Sequence, residues 1–371
     1  MFKKILSLPI DWLTLLLPIL LTITSIATIY TITFAGHGGS LATSQSVYAI
    51  IGLLVMLVFM FTDYRILGSY SGVLLIIGIV LLLPLLPFWA RKLPFVYGAL
   101  GAYRWLNFKI FQLQPAEIFK LIAAIFGAKY MSDKIGNLRW QQALLFIAIM
   151  LISFVLIYLE PDLGTAAVVL SMLTAILLAT RPPIRNVLWV VAVIIVLLPI
   201  AWIRLPSYQK VRVDSFLHPS QNSQGAGENV QQSLIAVGSG GVYGRGFGRG
   251  TQTVLNYVPI AYADFIFAGL AEATGFIGSF LLVACYAILI YRAIAIANVS
   301  TEPFGALLAL AIAVKFAFQA IVHIAVNIGL LPVTGIPLPF MSYGGTALVI
   351  DYACIGILES IYIRHKKAFF A

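Results

Sequence analysis

The sequence predicts an all-α polytopic membrane protein with about ten transmembrane helices, both termini in the cytoplasm and one large extracytoplasmic loop between spans 7 and 8. Of the 371 residues, 61% are hydrophobic and only 10% are charged, and the mean hydropathy is +1.01. A soluble domain would carry about 25% charged residues. The apolar runs are long and continuous, which favours helices over the alternating strands of a membrane β-barrel.

Ten apolar runs approach the length of about 20 residues that a helix needs to cross the hydrocarbon core. Together they form one integral membrane domain, residues 1–371, in which the loop 205–264 is the only long polar segment. The fourth run is the least apolar, because Glu117 and Lys120 lie inside it. The predicted spans are 12–34, 45–62, 66–88, 115–131, 139–159, 162–180, 184–204, 265–292, 304–329 and 344–363.

The distribution of Lys and Arg sets the predicted orientation. Both residue types recur at the two chain ends and in the short loops on that side, whereas opposite loops such as "AGHGGSLATSQS" and "EPD" carry neither. By the positive-inside rule, both termini are cytoplasmic. The net charge of +10 is spread over many loops, which excludes the single basic face of a nucleic-acid-binding protein.

No metal or disulfide framework is predicted. The two cysteines, Cys285 and Cys354, both lie in apolar runs, which matches neither a disulfide scaffold nor a zinc site. His323 has no H-E-x-x-H or similar spacing around it, so a zinc site is not expected there.

Two outer segments, 89–114 and 205–264, are basic and break the positive-inside rule. Their cations either lie against anionic lipid headgroups or bind an anionic group of a substrate, and the sequence leaves both interpretations open. The loop 205–264 also contains "GSGGVYGRGFGRGTQ", which is either a flexible linker or a backbone shaped for close approach to a ligand. Before it, "NVQQSLIAVGSG" is amphipathic and predicts a short helix on the membrane surface. The candidate cations are Arg104, Lys120, Lys210, Arg212 and Arg245.

Ionisable residues within the spans lie mostly in their outer halves, and such residues mark functional sites by default. Glu117 and Lys120 are three residues apart, so they share a helix face and can pair. The whole set either lines one outward-opening cavity or joins helices to one another. The segment 329–345, with three prolines and four glycines, predicts a re-entrant turn at the same face. The other polar positions are Asp162, Glu272, Asp351 and the stripe Lys315, Gln319, His323 and Asn327 on one face of the ninth span.

The segment "LLPVTGIPLPFMSYGG" resembles the signature of the SEDS family (shape, elongation, division and sporulation), and five further segments resemble other blocks of that family in the same order. The resemblance covers essentially the whole chain. The short tails and the total length are most similar to the elongation branch of the family. The other matching segments are "YRWLNFKIFQLQPAEIFKL" (103–121), "EPDLGTA" (160–166), "VRVDSFLHP" (211–219), "QQSLIAVGSGGVYGRGFGRGTQ" (231–252) and "DFIFAGLAEATGFIG" (264–278).

The resemblance implies a peptidoglycan glycosyltransferase that polymerises lipid II, an undecaprenyl-diphosphate-linked disaccharide peptide, by inverting transfer on the outer face of the bacterial cytoplasmic membrane during cell elongation. It implies as partners a class B penicillin-binding protein, other membrane proteins of the elongation complex and membrane lipids, and no nucleic acid. Asp264, which opens the "DFIF" block, carries over as the catalytic residue. Trp105 matches a tryptophan that is important for activity in the family, and Glu117 and Lys120 match the family's paired polar positions.

The chain departs from the family pattern next to Asp264. The usual P-E-x-H-T-D is replaced by Pro259-Ile260-Ala261-Tyr262-Ala263-Asp264. The usual E-E is Glu272-Ala273, and a usual Asn is His323. These changes put in doubt any role of the missing neighbours, although the aspartate itself is present.

A mechanism follows in which Asp264 is the general base for the attacking hydroxyl. A free Asp has a pKa of about 3.9, and the apolar neighbours Phe265 and Ile266 are expected to raise it by desolvation. A Mg²⁺ or Mn²⁺ ion is left open as a helper for the leaving group. The predicted substrate-binding residues are Trp105, Arg104, Glu117, Lys120, Lys210, Arg212, Arg245 and Ser342, and Asp162, Glu272 and His323 are predicted to be structural.

Two alternatives remain open at this point. A lipid II flippase or another polytopic transporter would also have broken helices and buried charges near a cavity. A non-catalytic scaffold that recruits a penicillin-binding protein would not need the outer cations and carboxylates together.

Overall fold

The computed structural model describes residues 9–37, 39–90, 92–99, 102–108, 112–185, 207–217 and 226–365, together with single positions between 188 and 199. The predicted seventh span, 184–204, lies outside the described residues apart from its first two residues and those single positions. Residues 205–206 and 218–225 of the large loop also lie outside the described residues.

The first three predicted spans are helical, and the third is divided. Pro84 and Pro87 interrupt it, because proline cannot donate the backbone hydrogen bond that continues a helix. The elements are α1 (Trp12–His37), α2 (Ser40–Phe61), α3 (Tyr64–Ser69), α4 (Ser71–Leu82) followed by a 3₁₀ turn (Leu83–Leu85), and α5 (Pro87–Ala90).

A small antiparallel sheet follows, which the all-α prediction did not include. Its strands are β1 (Val96–Ala99), β2 (Ala102–Asn107) and β3 (Gln112–Leu113), in the order β1-β2-β3. Tyr97 lies opposite Trp105, and aromatic residues of this kind favour a pleated, half-buried surface. The sheet carries Arg104 and Trp105 to the start of the next helix.

The remaining helices complete a bundle. Asp162 caps the helix that begins at Leu163, because its Oδ1 accepts from the Thr165 N–H at 3.1 Å. The elements are α6 (Pro115–Ser132), α7 (Trp140–Tyr158), α8 (Leu163–Ala179), α9 (Ser207–Leu217), α10 (Ala226–Ser239), α11 (Thr251–Val254), α12 (Ile266–Val299), α13 (Pro303–Asn327) and α14 (Gly345–His365).

Six of the described helices are long and apolar enough to cross a membrane, which is the pattern of a polytopic membrane protein. They are α1, α2, α7, α12, α13 and α14, and the segments Ser71–Leu85 and Leu163–Ala179 are shorter apolar helices. α6 is also 18 residues long, but it contains Glu117, Lys120 and Lys129.

α13 and α14 form the buried centre of the bundle. α13 packs against α6, α8 and α12, and α14 packs along α2. Small residues permit this close approach. A Cβ atom added at Gly356 of α14 would lie 2.9 Å from the Cβ of Phe59 on α2.

α12 is broken at Gly275, and the glycine-rich segment 240–250 docks on the break. Gly275 has φ 68° and ψ −160°, a backbone conformation that is essentially restricted to glycine. The N–H of Phe276 donates to the Gly241 carbonyl at 2.8 Å, and the N–H of Arg245 donates to the Glu272 carbonyl at 2.9 Å. The glycine-rich segment is therefore an ordered part of the fold, and its interpretation as a flexible linker is wrong.

Candidate active site

A cavity of about 440 Å³ lies at the end of the bundle where four helices begin. Its wall includes the first turns of α6, α8 and α14 and the residues immediately before α12. Helix N-termini carry unpaired N–H groups and partial positive charge, which favour an anion. Of the predicted site residues, this wall contains Arg104, Trp105, Glu117, Asp162, Arg212, Asp264 and Ser342.

Asp264 lies two residues before α12 and is partly exposed to the cavity. Burial raises the pKa of its carboxyl group above the ordinary value, Arg212 and Arg104 act in the opposite direction, and Asp162 raises the pKa further. The neighbouring side chains Phe265 and Ile266 are fully buried, as expected for desolvation. A carboxylate whose pKa is raised toward neutrality is a better general base.

The structure brings two of the five predicted cations into the cavity. Arg104 donates from its guanidinium group to the Pro161 carbonyl, and Arg212 extends from α9 toward Gly335. Arg245 is exposed and instead holds the glycine-rich segment, with its Nε 3.1 Å from the Ser239 carbonyl and its guanidinium 3.1 Å from Thr251 Oγ1. Lys210 is half-buried on α9 and is not part of the cavity wall.

Lys120, the fifth predicted cation, lies behind the cavity wall. Its Nζ is 2.7 Å from Glu117 Oε1, and both side chains are at most 1% exposed. The pairing that the sequence predicted is therefore confirmed. Only Glu117 reaches the cavity, so a direct contact between Lys120 and a substrate would require this buried pair to open. Separating such a pair leaves an uncompensated buried charge and costs about 3–5 kcal/mol.

The Asp162 carboxylate accepts hydrogen bonds from neighbouring residues of the protein. Its Oδ2 accepts from Thr165 Oγ1 at 3.0 Å and from Gln114 Nε2 at 3.3 Å. Asp162 thus joins α8 to the residue before α6. These contacts hold the fold together at the edge of the cavity.

Glu160 is a buried carboxyl group that the sequence analysis did not select. It is 0% exposed, and neither of its oxygens has a hydrogen-bond partner among the described residues. Burial, reinforced by Asp162 and opposed by Arg104, raises the pKa of Glu160 to about 9. Glu160 is therefore neutral at pH 7. The motif "EPD" contained the signal, since two acidic residues so close together at a membrane border cannot both be ionised at low cost.

Glu272 binds the N-terminus of α11. Its carboxylate accepts from the N–H of Gln252 at 2.9 Å, from the N–H of Thr253 at 3.0 Å and from Thr253 Oγ1 at 2.6 Å. A carboxylate at a helix N-terminus satisfies unpaired donors and interacts favourably with the helix dipole. Glu272 is not part of the cavity wall.

His323 is buried on α13 away from the cavity wall. Its Nδ1 lies 2.9 Å from the Ile336 carbonyl, so Nδ1 carries the proton. This bond ties α13 to the irregular segment 329–344, which the sequence predicted to be a turn of unusual backbone.

Several uncharged residues of the cavity were also missed. The rings of Tyr262 and Tyr343 meet edge to face with centroids 5.8 Å apart, and Gln114 and Thr165 hold Asp162. Tyr262 belongs to "PIAYA", the stretch in which the chain departs from the family pattern, so its presence in the wall could have been suspected.

No three His, Cys, Asp or Glu side chains converge on a metal position within the described part of the chain. The residues present therefore do not form a closed metal site of their own.

Residues 7–367 match the family of cell cycle proteins that comprises FtsW, RodA and SpoVE, so the chain belongs to this family. It is 34% identical over 316 residues to the peptidoglycan glycosyltransferase MrdB of Escherichia coli strain K12, and the aligned region covers 85% of this chain and 84% of the relative. It is also 34% identical over 329 residues to the "Probable peptidoglycan glycosyltransferase FtsW" of Trichlorobacter lovleyi, covering 87% and 84% of the two chains.

Two solved structures are similar over nearly their whole length. A chain from a study of how a peptidoglycan synthase complex coordinates polymerization and crosslinking has a TM-score of 0.80 and 26% identity, covering 98% of this chain and 99% of its own length. The rod shape determining protein RodA of Thermus thermophilus has a TM-score of 0.69 and 24% identity, covering 97% and 98%, and shares the fold. The family that the sequence motifs indicated is thereby confirmed.

Proposed function

We propose that this chain polymerises glycan strands from lipid II, with Asp264 as the general base. Its class, a peptidoglycan glycosyltransferase, follows from family membership and from relatives of that activity along most of the chain. The observation that carries the proposal is the convergence of Asp264, Arg104 and Arg212 in one cavity that also receives the N-termini of helices.

The reaction divides the chemistry between a base and an anion-binding wall. The acceptor hydroxyl loses its proton to Asp264 as its oxygen bonds to C1 of the donor sugar, and the bond from C1 to the diphosphate breaks. The diphosphate leaves with the electron pair. Arg104, Arg212 and the helix N-termini stabilise the charge that develops on it. A single displacement of this kind inverts the α configuration of the donor into a β linkage.

The neutral Glu160 keeps the cavity receptive to a dianion. Arg104 and Arg212 contribute two positive charges, which the carboxylates of Asp162 and Asp264 match, and Glu117 is neutralised by Lys120. Glu160 is not part of the cavity wall, but it interacts electrostatically with Arg104, so an ionised Glu160 would offset the positive charge that Arg104 supplies to the cavity.

Topology and partners complete the proposal. The chain has ten spans with its termini in the cytoplasm of the bacterium, so the cavity faces the outer side of the cytoplasmic membrane, where lipid II is displayed for polymerisation. It acts in the elongation branch, as RodA does, beside a class B penicillin-binding protein. The similarity to a chain of a peptidoglycan synthase complex supports this partner. A Mg²⁺ or Mn²⁺ ion would be held mainly by the diphosphate.

The decisive test is the Asp264→Asn variant, purified and assayed for glycan synthesis from lipid II in proteoliposomes. We expect the rate to fall by about 10²–10⁴-fold, the usual contribution of a general base, with normal insertion and thermal stability. Asp133→Asn is the matched control, since Asp133 is an exposed carboxylate paired with Lys129 at the end of α6. Full polymerisation by Asp264→Asn would remove Asp264 as the base.

A lipid II flippase is the second candidate function, and the buried charges at membrane depth favour it. Lys315 pairs with Asp351 in the core between α13 and α14, and such intramembrane pairs are common in transporters. Fluorescent lipid II that moves between leaflets in the same proteoliposomes, without glycan product, would support the flippase.

A further inference from the structure

Three consecutive backbone carbonyls at Asp264 are each held by a different donor from outside their own segment. The Tyr262 carbonyl accepts from the N–H of Tyr343 at 2.9 Å. The Ala263 carbonyl accepts from Ser342 Oγ at 2.7 Å. The carbonyl of Asp264 accepts from Asn327 Nδ2 at 3.1 Å. The first two donors belong to the segment after α13, and the third is the last residue of α13.

Asn327 makes a further contact that singles it out. Its Oδ1 accepts from the N–H of Ala268 at 3.0 Å, and its Nδ2 also donates to the His323 carbonyl at 2.9 Å. The side chain is 0% exposed. One amide oxygen therefore faces an N–H and one amide nitrogen faces two carbonyls, an arrangement that fixes the orientation of the amide.

The two backbone groups that Asn327 bridges are those an α-helix would join directly. The Asp264 carbonyl and the Ala268 N–H are four residues apart, which is the spacing of a helical hydrogen bond. Asn327 occupies the position between them, and α12 begins only at Ile266, after a residue, Phe265, that offers no side-chain cap. The amide thus caps α12 from another helix and holds Asp264 outside it.

We propose that Asn327 is a positioning residue that keeps Asp264 out of α12 so that its carboxylate faces the cavity. Without the amide, the carbonyl of Asp264 and the N–H of Ala268 are free to bond to each other. α12 would then extend backward by about half a turn, and the carboxylate would rotate relative to Arg104 and Arg212. Asn327 is not part of the cavity wall, so it acts through the backbone groups that its amide holds. This inference rests on the proposed role of Asp264.

Two variants test it. Asn327→Ala removes the bridge. Asn327→Asp keeps the shape and the acceptor for Ala268, but it places a carboxylate oxygen against the carbonyls of Asp264 and His323. Misplacing a catalytic group by about 1 Å costs about 10²-fold, so we expect kcat for lipid II polymerisation to fall by about that factor in both variants while KM stays within about twofold.

Ser233→Ala is the matched control. Ser233 Oγ donates to the backbone carbonyl of Asn327 at 2.9 Å, so this change removes a buried hydrogen bond at the same residue without touching the amide bridge. We expect its kcat and KM to stay within about twofold of wild type.

A second readout does not depend on activity. Carbodiimide labelling followed by mass spectrometry measures how accessible the Asp264 carboxyl group is, and we expect the label at Asp264 to fall in Asn327→Ala and to be unchanged in Ser233→Ala. Wild-type labelling and wild-type kcat in both Asn327 variants would overturn the proposal. A fall in thermal stability and kcat together with a rise in KM would also overturn it, because such a pattern would indicate a purely structural residue. An active Asp264→Asn would instead remove the base while leaving the labelling result intact.

Discussion

Glu160 shows how one buried carboxyl group can set both the charge of the cavity and the pH dependence of the fold. Its pKa is raised from 4.5 to about 9, chiefly by burial. Because the folded protein keeps the proton while the unfolded chain releases it above about pH 4.5, the folded state binds more protons over this interval. The free energy of unfolding therefore falls as the pH rises from about 4.5 to about 9.

The variant Glu160→Gln removes this titration and retains the shape of the side chain. We expect its melting temperature to match that of wild type near pH 5 and to exceed it progressively toward pH 9, by about 2–4 °C for each kcal/mol of destabilisation that is relieved. At pH 7, kcat/KM for lipid II should stay within about twofold, since Glu160 is already neutral there. Thermal unfolding in detergent between pH 5 and pH 9 makes the measurement. Parallel curves for the two proteins would mean that Glu160 is ionised in the folded state.

The sequence pointed to the conspicuous charges, but it did not determine the direction in which each side chain points. Asp264, Arg104 and Arg212 stand out in the sequence because they interrupt or border apolar segments. Whether a cation faces the cavity depends on the helix that presents it. Lys120 turns inward to Glu117, and Arg245 is used by the loop backbone. Asn327 was seen only as one member of a polar stripe, because its role depends on the register between α12 and α13.

At the scale of elements, the break in α12 explains why the outer loop is rich in glycine. The backbone hydrogen bonds between 241–246 and 272–277 require a positive φ at position 275, and the two segments lie too close together for a side chain at this position. A Cβ atom at Gly275 would lie 2.6 Å from the Val242 carbonyl oxygen. The break at Gly275 ends the first part of α12 three residues after Glu272, the residue that caps α11.

Gly275→Ala should therefore destabilise the outer loop. We expect a loss of about 1–3 kcal/mol from the backbone conformation alone, seen as a lower melting temperature and as faster tryptic cleavage at Arg245 and Arg249. Gly72→Ala is the control, since Gly72 lies in the first turn of α4 with nothing within 4 Å of an added Cβ. This control should be neutral or slightly stabilising. Equal protease resistance of the two variants would contradict a structural role for the break.

Element prediction depended on length and periodicity. Long apolar runs identified the helices, and the amphipathic "NVQQSLIAVGSG" was correctly predicted to be helical, as part of α10. The sheet β1–β3 was missed because its strands are only two to six residues long, and the pairing depends on a turn rather than on an apolar period. The short helix α11 was missed because Glu272 caps it from a distant position in the sequence.

At the scale of the whole molecule, the end of the bundle opposite the cavity is tied together by charge. Arg292 near the end of α12 is 2.7 Å from Asp11, which precedes α1, and the N–H of Asp11 donates to Glu359 of α14 at 3.2 Å. Ser360 Oγ donates to the Thr62 carbonyl, at the end of α2, at 2.6 Å. These contacts join four helix ends. A carrier that works by alternating access must open this end during its cycle, whereas a polymerase needs only the cavity end.

A reversible cross-link at each end distinguishes these two requirements. In a variant whose native cysteines are replaced by alanine, Thr62→Cys with Ser360→Cys allows a short thiol cross-linker to join α2 to α14 at the closed end. We expect glycan synthesis from lipid II to be the same before and after cross-linking.

The matched pair at the cavity is Gln114→Cys with Thr346→Cys, since the N–H of Gln114 donates to Thr346 Oγ1 at 3.1 Å. Cross-linking this pair should reduce synthesis at least about tenfold, and the reductant should restore it, because a bridge across the cavity wall obstructs the lipid-linked sugar. Loss of synthesis on cross-linking the closed end would show that this end must open during turnover, and the assignment of a fixed base with a single working face would then be wrong.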